Sequence, residues 1–131
     1  MVKILFVCSG NVGRSQMAEA YYNHFTKSRN ASSAGTDSET PKKYSALPHE
    51  IIMLMKEESV DVSKNKVKLI NDEMIKNADK IMVMCEKNKC PEMIIGAEKT
   101  TFWEVTDPYK AKIDDMRKIR NIIKAKVLSL L

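Results

Sequence analysis

Five residues separate Cys8 from Arg14 in the stretch Cys8-Ser9-Gly10-Asn11-Val12-Gly13-Arg14-Ser15. These residue types can hold a tetrahedral oxyanion and attack it. Two glycines and an asparagine allow tight turns at positive φ, so that successive backbone N–H groups of Ser9, Gly10, Asn11, Val12 and Gly13 point inward. A helix that follows adds its own free N–H groups and the positive end of its dipole. Arg14 can grip two oxygens at once. In that field a cysteine thiolate is favoured over the thiol, and Ser15 can donate a hydrogen bond to the same sulfur. Cys8 would then face a bound phosphate-like group as a nucleophile. A lone cysteine is more often a small core residue, and a glycine-rich turn is often only a turn. Placement between a strand and a helix, with serine after the arginine, is what lifts this spacing above chance.

The elements that must position the loop can be read from the periodicity. Residues 3–7 form an apolar run of strand length, and residues 15–27 place Met17, Ala18, Tyr21, Tyr22 and Phe25 at helical spacing. A second strand is expected over 30–34, ended by Gly35, then a polar loop over 36–43. A helix follows over 45–57 with Pro48 in its first turn and Ile51, Ile52, Leu54 and Met55 buried. A short helix is expected over 71–77 with Asn71 as N-cap, a strand over 80–84, and a strand over 100–104. An amphipathic helix over 113–131 would bury Ile113, Met116, Ile119, Ile122, Ile123, Val127, Leu130 and Leu131. Strands alternating with helices predict a parallel α/β sheet covered on both faces. Ligands in such sheets sit at the carboxyl ends of the strands, near a switch point. Those ends carry Cys8, Cys85 and Asp107.

The chain has 131 residues and a formal charge of +5. That length suits one domain over 1–131. Its lysines lie mostly among acids, and the short basic stretch at Lys64, Lys66 and Lys68 has no interleaved aromatics for base stacking. Nucleic acid is therefore not an expected partner, and the charge implies only a modest bias toward anionic substrates. No apolar run is long enough to span a bilayer. The opening apolar run leads into a polar loop rather than a cleavage site. A cytoplasmic protein without a membrane partner, acting as a monomer, is expected. Three cysteines in a reducing compartment favour catalysis or redox chemistry over a disulfide framework. A metal is not expected, since the Cys85–Cys90 spacing is longer than common zinc pairs. His24 and His49 read as solvent-facing or partly buried. Met53, Met55, Met82 and Met84 read as core fillers, and Trp103 as packing.

The stretch from Val7 to Ala20 resembles the active-site loop of the superfamily of low-molecular-weight protein tyrosine phosphatases and thioredoxin-coupled arsenate reductases. The resemblance continues through Ser33-Ala34-Gly35-Thr36, the strand leading to Cys85, and Thr106-Asp107-Pro108, so it covers nearly the whole chain. It implies a Rossmann-like three-layer fold with a four-stranded parallel sheet and helices on both faces. Many members carry a second cysteine just before the arginine, where this chain has Gly13. Ser33 and Glu19 match positions where some reductases bind a monovalent cation.

Two chemistries follow from this resemblance. In the phosphatase reading Cys8 is the nucleophile, Arg14 clamps the transition state, and Ser15 supports the sulfur. A cysteinyl-phosphate forms and water hydrolyses it. Asp107 matches the general acid, and Tyr109 would line the substrate rim. The substrate is then a phosphotyrosyl protein or a small phosphomonoester, with no cofactor. In the reductase reading Cys8 attacks arsenate, Cys85 attacks the adduct, and Cys90 carries the disulfide outward for thioredoxin to reduce. Lys87 and Lys89 would favour thiolates there. Pro108-Tyr109 resembles the phosphatase rim more than the reductase sequence. Phosphatase chemistry is placed first because Cys8, Arg14 and Asp107 suffice for it; one protein with both activities fits as well. Those residues also argue against a binding-only pseudoenzyme. A flavodoxin-like carrier would not need the Cys–Arg pair.

Overall fold

The structure, a computed structural model, describes residues 2–131, the Lys87 side chain excepted. Four strands form one parallel sheet: β1 (Ile4–Cys8), β2 (Ala31–Gly35), β3 (Lys80–Val83) and β4 (Thr100–Phe102). Their order is β2-β1-β3-β4. The chain builds outward from β1 in one direction and then in the other, so the switch point falls beside β1. All five β1 residues are buried, as an uninterrupted apolar run on a strand covered on both faces requires.

Alternation along β1 divides the core. Ile4, Phe6 and Cys8 pack with Met17, Tyr21, Leu54, Met55, Ile119 and Ile123 on one face. The helices there are α1 (Arg14–Thr26), α3 (His49–Lys56) and α6 (Ile113–Leu128). Leu5 and Val7 pack with Ala34, Ile75, Ile81, Val83, Cys85 and Ile94 on the other, beneath α4 (Asp72–Asn77) and α5 (Glu92–Ile95). Asn71 caps α4 by accepting from the Met74 N–H.

Several expected boundaries move, each for a local reason. β1 runs on to Cys8, so the sulfur sits at a strand end rather than in a loop. A one-turn helix, α2 (Thr40–Lys43), interrupts the expected 36–43 loop, with Thr40 buried and Pro41 in its first turn. α3 begins only at His49 because Pro48 is extended, at φ −56° and ψ 146°, and forms its N-cap; a proline also biases the residue before it away from helix. The 87–95 region holds a 3₁₀ turn (Lys87–Lys89) and α5, which four-residue periodicity cannot announce. The last helix, α6, ends at Leu128 rather than 131, so Leu131 lies beyond it and is exposed; within α6 Ile122 is exposed rather than buried, and Arg120 is buried instead.

Arg120 explains how α6 locks onto α3. It donates to the Leu54 carbonyl at 2.9 Å and to Glu57 Oε1 at 2.6 Å. Arg117 also grips Glu57, and Lys124 reaches Glu58 at 3.0 Å. Hydrogen bonds from Arg117 and Arg120 lower the Glu57 carboxyl from its ordinary 4.5 to about 2. Glu58 is lowered chiefly by Lys124. Because folding depresses these carboxyls, their stabilisation is full above about pH 4.5 and is lost as pH falls toward 2. The urea midpoint is expected to drop over that window, and Glu57→Gln should flatten the drop; an unchanged slope in that variant would contradict the assignment.

No helix among the described residues is long and apolar enough to cross a membrane.

Candidate active site

The loop after β1 is tied down by backbone bonds on both sides. Thr36 N–H donates to the Cys8 carbonyl at 3.1 Å and Asp37 N–H to the Ser9 carbonyl at 2.9 Å. Asn11 is the loop residue at positive φ, 57°, while neither Gly10 nor Gly13 is. The expected left-handed glycines are therefore corrected: the asparagine takes that turn, and glycine is needed for close approach. A Cβ on Gly13 would lie 3.1 Å from Pro108 Cγ, and one on Gly35 would lie 2.8 Å from the Ser9 carbonyl oxygen. α1 begins directly after Gly13 with no side-chain cap and no acidic residue in its first turn, so its leading N–H groups suit an anion.

Hydrogen bonds fix where the protons point. Lys68 N–H donates to Asn11 Oδ1 at 2.9 Å, and Gln16 Nε2 donates to the same oxygen at 2.9 Å. The Asn11 amide is thereby oriented, and its Nδ2 donates to Ser15 Oγ at 2.7 Å. The Ser15 hydroxyl proton is then available to Cys8 Sγ, 3.0 Å away. Asn11 N–H also donates to Cys8 Sγ at 3.2 Å. Two donors thus converge on a buried sulfur and stabilise negative charge there. Gln16 is steadied in turn by the Lys66 carbonyl at 2.9 Å and by Asn65 Nδ2 at 3.2 Å.

Arg14 bridges three strand ends. Its Nη1 donates to the Met84 and Val105 carbonyls, and its Nη2 stands 3.6 Å from Asp107 Oδ2. With Nη1 committed, the Nε and Nη2 edge is the one left for an oxyanion. Asp107 is exposed, and its Oδ1 accepts from Tyr109 N–H at 3.0 Å, which sets the carboxylate's angle. A cleft of about 340 Å³ beside it is lined by Val12, Tyr44, Ile51, Pro108, Tyr109 and Met116, among others. Tyr109 is 67% exposed at its rim, with Lys110 Nζ 5.3 Å from its ring centroid. A second cleft opens on the other side of Asp107, bounded by Ser9, Arg14, Cys85, Lys89 and Trp103.

Cys85 and Cys90 come together, with sulfurs 3.3 Å apart. Burial, and then the hydrogen bond with Cys90, push the Cys85 thiol well above its ordinary range. Cys85 also packs with the core on the face opposite to Cys8. The side chain of Lys87 lies outside the described residues. Trp103 packs against Phe6 with ring centroids 6.0 Å apart, as expected of a packing residue. His24 and His49 are exposed. Among the described residues no group of three or more His, Cys, Asp or Glu could hold a metal ion.

Ser33 and Glu19 meet at 3.1 Å, and the Lys68 ammonium joins them. Sequence reasoning missed Gly35 as a packing point, Gln16, Tyr44 and Lys68. Only Gly35 left a signal, as a glycine closing a strand.

The fold and the loop define a three-layer α/β protein with a tight strand-to-helix turn, from Cys8 to Arg14, at its switch point. Residues 3–131 match the family model described as Low molecular weight phosphotyrosine protein phosphatase, and the chain belongs to that family of enzymes. It is 30% identical over 126 residues to an arsenate reductase of Staphylococcus aureus, covering 92% of this chain and 89% of that one. Among solved structures it resembles the low-molecular-weight protein tyrosine phosphatase of T. tengcongensis, at TM-score 0.85 and 26% identity, covering 99% and 97% of the two chains. An arsenate reductase from Archaeoglobus fulgidus superposes at TM-score 0.77 with 28% identity, covering 98% of each chain.

Proposed function

We propose that this protein hydrolyses phosphomonoesters of the phosphotyrosine type through a cysteinyl-phosphate. The observation that carries this reading is the convergence of Ser15 Oγ and Asn11 N–H on Cys8 Sγ, with Arg14 and Asp107 alongside. Cys8 Sγ attacks phosphorus as the ester P–O bond breaks, and Asp107 supplies the proton to the leaving oxygen. Arg14 and the N–H groups of the loop hold the equatorial oxygens. Water then displaces the sulfur, giving up its proton to Asp107, and inorganic phosphate leaves. The cleft lined by Val12, Tyr44 and Tyr109 suits a phenolic ring on a protein or a small ester. Asp107→Asn is expected to slow hydrolysis of phosphates with poor leaving groups by roughly 10²-fold or more, and of activated aryl phosphates far less. An equal effect across leaving groups would remove Asp107 from the acid role.

The 3.3 Å approach of Cys85 to Cys90 favours a second reading, arsenate reduction with thioredoxin as the reductant. Cys8 would attack arsenate, Cys85 would displace arsenite to form a Cys8–Cys85 disulfide, and Cys90 would take over Cys85 and release Cys8. The raised proton affinity of Cys85 and its place on the opposite face rank this reading second, since Cys85 must move and ionise first. The two are separated by a single turnover of reduced protein with arsenate, followed by peptide mapping, beside an aryl phosphate assay. An arsenate-dependent Cys85–Cys90 disulfide, absent from Cys8→Ser, puts reduction first. Thiols that stay reduced beside hydrolysis of the aryl phosphate leave the phosphatase.

A further inference from the structure

The segment after β4 is strained at one residue of the cleft beside Asp107. Ala111 N–H donates to the Pro108 carbonyl at 2.9 Å, closing a turn over Tyr109 and Lys110. Lys110 takes the third position of that turn, at φ 60°. Glycine or asparagine suits such a left-handed position, and a lysine there holds a backbone conformation that its Cβ disfavours. The turn begins one residue after Asp107, whose Oδ1 accepts from Tyr109 N–H at 3.0 Å. The lysine is therefore fixed in place relative to the carboxylate assigned as proton donor. Its ammonium stands 5.3 Å from the centroid of the Tyr109 ring, and both residues are exposed at the mouth of the cleft.

Few charges surround that cleft. Its lining includes one ammonium, from Lys110, and two carboxylates, from Asp107 and Glu50. Asp107 stands 3.6 Å from Arg14. Glu50 lies in the first turn of α3, in the other segment that lines the cleft. Among the described residues neither Lys110 nor Glu50 forms an ion pair. A cleft of about 340 Å³ accommodates a phenolic ring, and the residues on either side of that ring in a peptide must lie at the rim, beside these two groups.

We propose that Lys110 is a specificity-determining residue that reads an acidic side chain next to the phosphotyrosine. The substrate is then an acidic phosphotyrosyl segment of a peptide or protein, rather than a small ester. The ammonium offers such a carboxylate a positive charge that no other group engages. Glu50 repels the same carboxylate from the α3 side, so the preference is one-sided. The role also accounts for a lysine at a turn position that glycine would occupy with less strain. Because both partners are exposed, the attraction is modest and falls with salt. The inference rests on the phosphatase reading and names the substrate class of that same site.

The test compares kcat/KM for one phosphotyrosyl peptide carrying Glu or Lys, in turn, at each of the positions flanking the phosphotyrosine, in low-salt buffer. On one side Glu is expected to be favoured over Lys by roughly three- to fivefold, chiefly through KM. Molar sodium chloride should erase that ratio. Lys110→Gln should bring the ratio close to unity, and Lys110→Glu should invert it. Lys110→Gly separates side chain from backbone: it relieves the left-handed strain, so its thermal midpoint should hold or rise, yet it should lose the preference as Lys110→Gln does. Glu50→Gln should let Glu be accepted on both sides. A ratio that survives in Lys110→Gln or Lys110→Gly overturns the proposal, and so does a ratio near unity in the unaltered protein. An equal preference for Glu on both sides overturns it as well, since that would report only the overall charge of +5. Hydrolysis of an aryl phosphate beside indifference to the flanking residues sinks the role of Lys110 alone. No turnover of any phosphate ester sinks the phosphatase reading itself, and this proposal with it.

Discussion

Cys8→Ser is expected to abolish turnover of aryl phosphates, by at least about 10⁴-fold, and to leave the fold intact. The sulfur lies at the buried end of the central strand β1, and an oxygen there is smaller and equally compatible with its neighbours. The donors at 3.0 and 3.2 Å converge on the sulfur that the substitution removes. They cannot draw an alkoxide out of a serine hydroxyl at neutral pH. The variant should still bind inorganic phosphate or vanadate, because Arg14 and the loop N–H groups are untouched. Steady-state kinetics with a chromogenic ester, with oxyanion binding measured in parallel, provides the check. Turnover that survives the substitution would mean that another group attacks phosphorus.

Gly35→Ala should be nearly as damaging although residue 35 touches no substrate. Gly35 pairs in register with Cys8 across β1 and β2. A methyl group there would stand 2.8 Å from the Ser9 oxygen, 2.9 Å from the Gly10 carbon and 3.0 Å from the Asn11 nitrogen. All three are backbone atoms, so no side chain can swing aside. Nor can Gly35 retreat, because its N–H is held by the Lys68 carbonyl and its own carbonyl by Ile70 N–H, both at 2.8 Å. The loop must shift, and the Asn11 donor moves away from the sulfur. A loss of about 10²-fold in kcat/KM is expected, with a thermal midpoint lower by several degrees. Gly10→Ala is the contrast: its methyl meets only side-chain atoms, at 3.4 Å and beyond, and its effect should be much smaller. Equal activities for these two variants would refute this account.

Local signals in the sequence were enough for the frame. The apolar runs that became β1 and β3, the helical spacing after Arg14 and the Asn71 cap each depend on neighbours a few residues away. So does the placement of a cysteine and an arginine between a strand and a helix. What escaped depends on residues distant in the chain. The buried Arg120 looks like one more surface charge until α3 supplies the Leu54 carbonyl and Glu57. Of the glycines and the asparagine expected to turn at positive φ in the loop, Asn11 alone does so, and the glycines serve close approach instead. The crowding at Gly35 exists only once β2 lies against the loop. Lys68 belonged to a short basic run, and nothing in that run separates it from Lys64 and Lys66.

The parallel sheet gives each strand end its own chemical task in this reading. The end of β1 brings the attacking sulfur, the segment after β3 brings two thiols, and the segment after β4 brings a carboxylate. These pieces meet in space but are far apart along the chain. Substitutions after β3 can therefore change the supply of electrons without disturbing the attack, and substitutions after β4 can change the supply of protons in the same way. A hydrolase and a reductase then become evolutionary neighbours, separated by a few side chains at one rim of a shared scaffold.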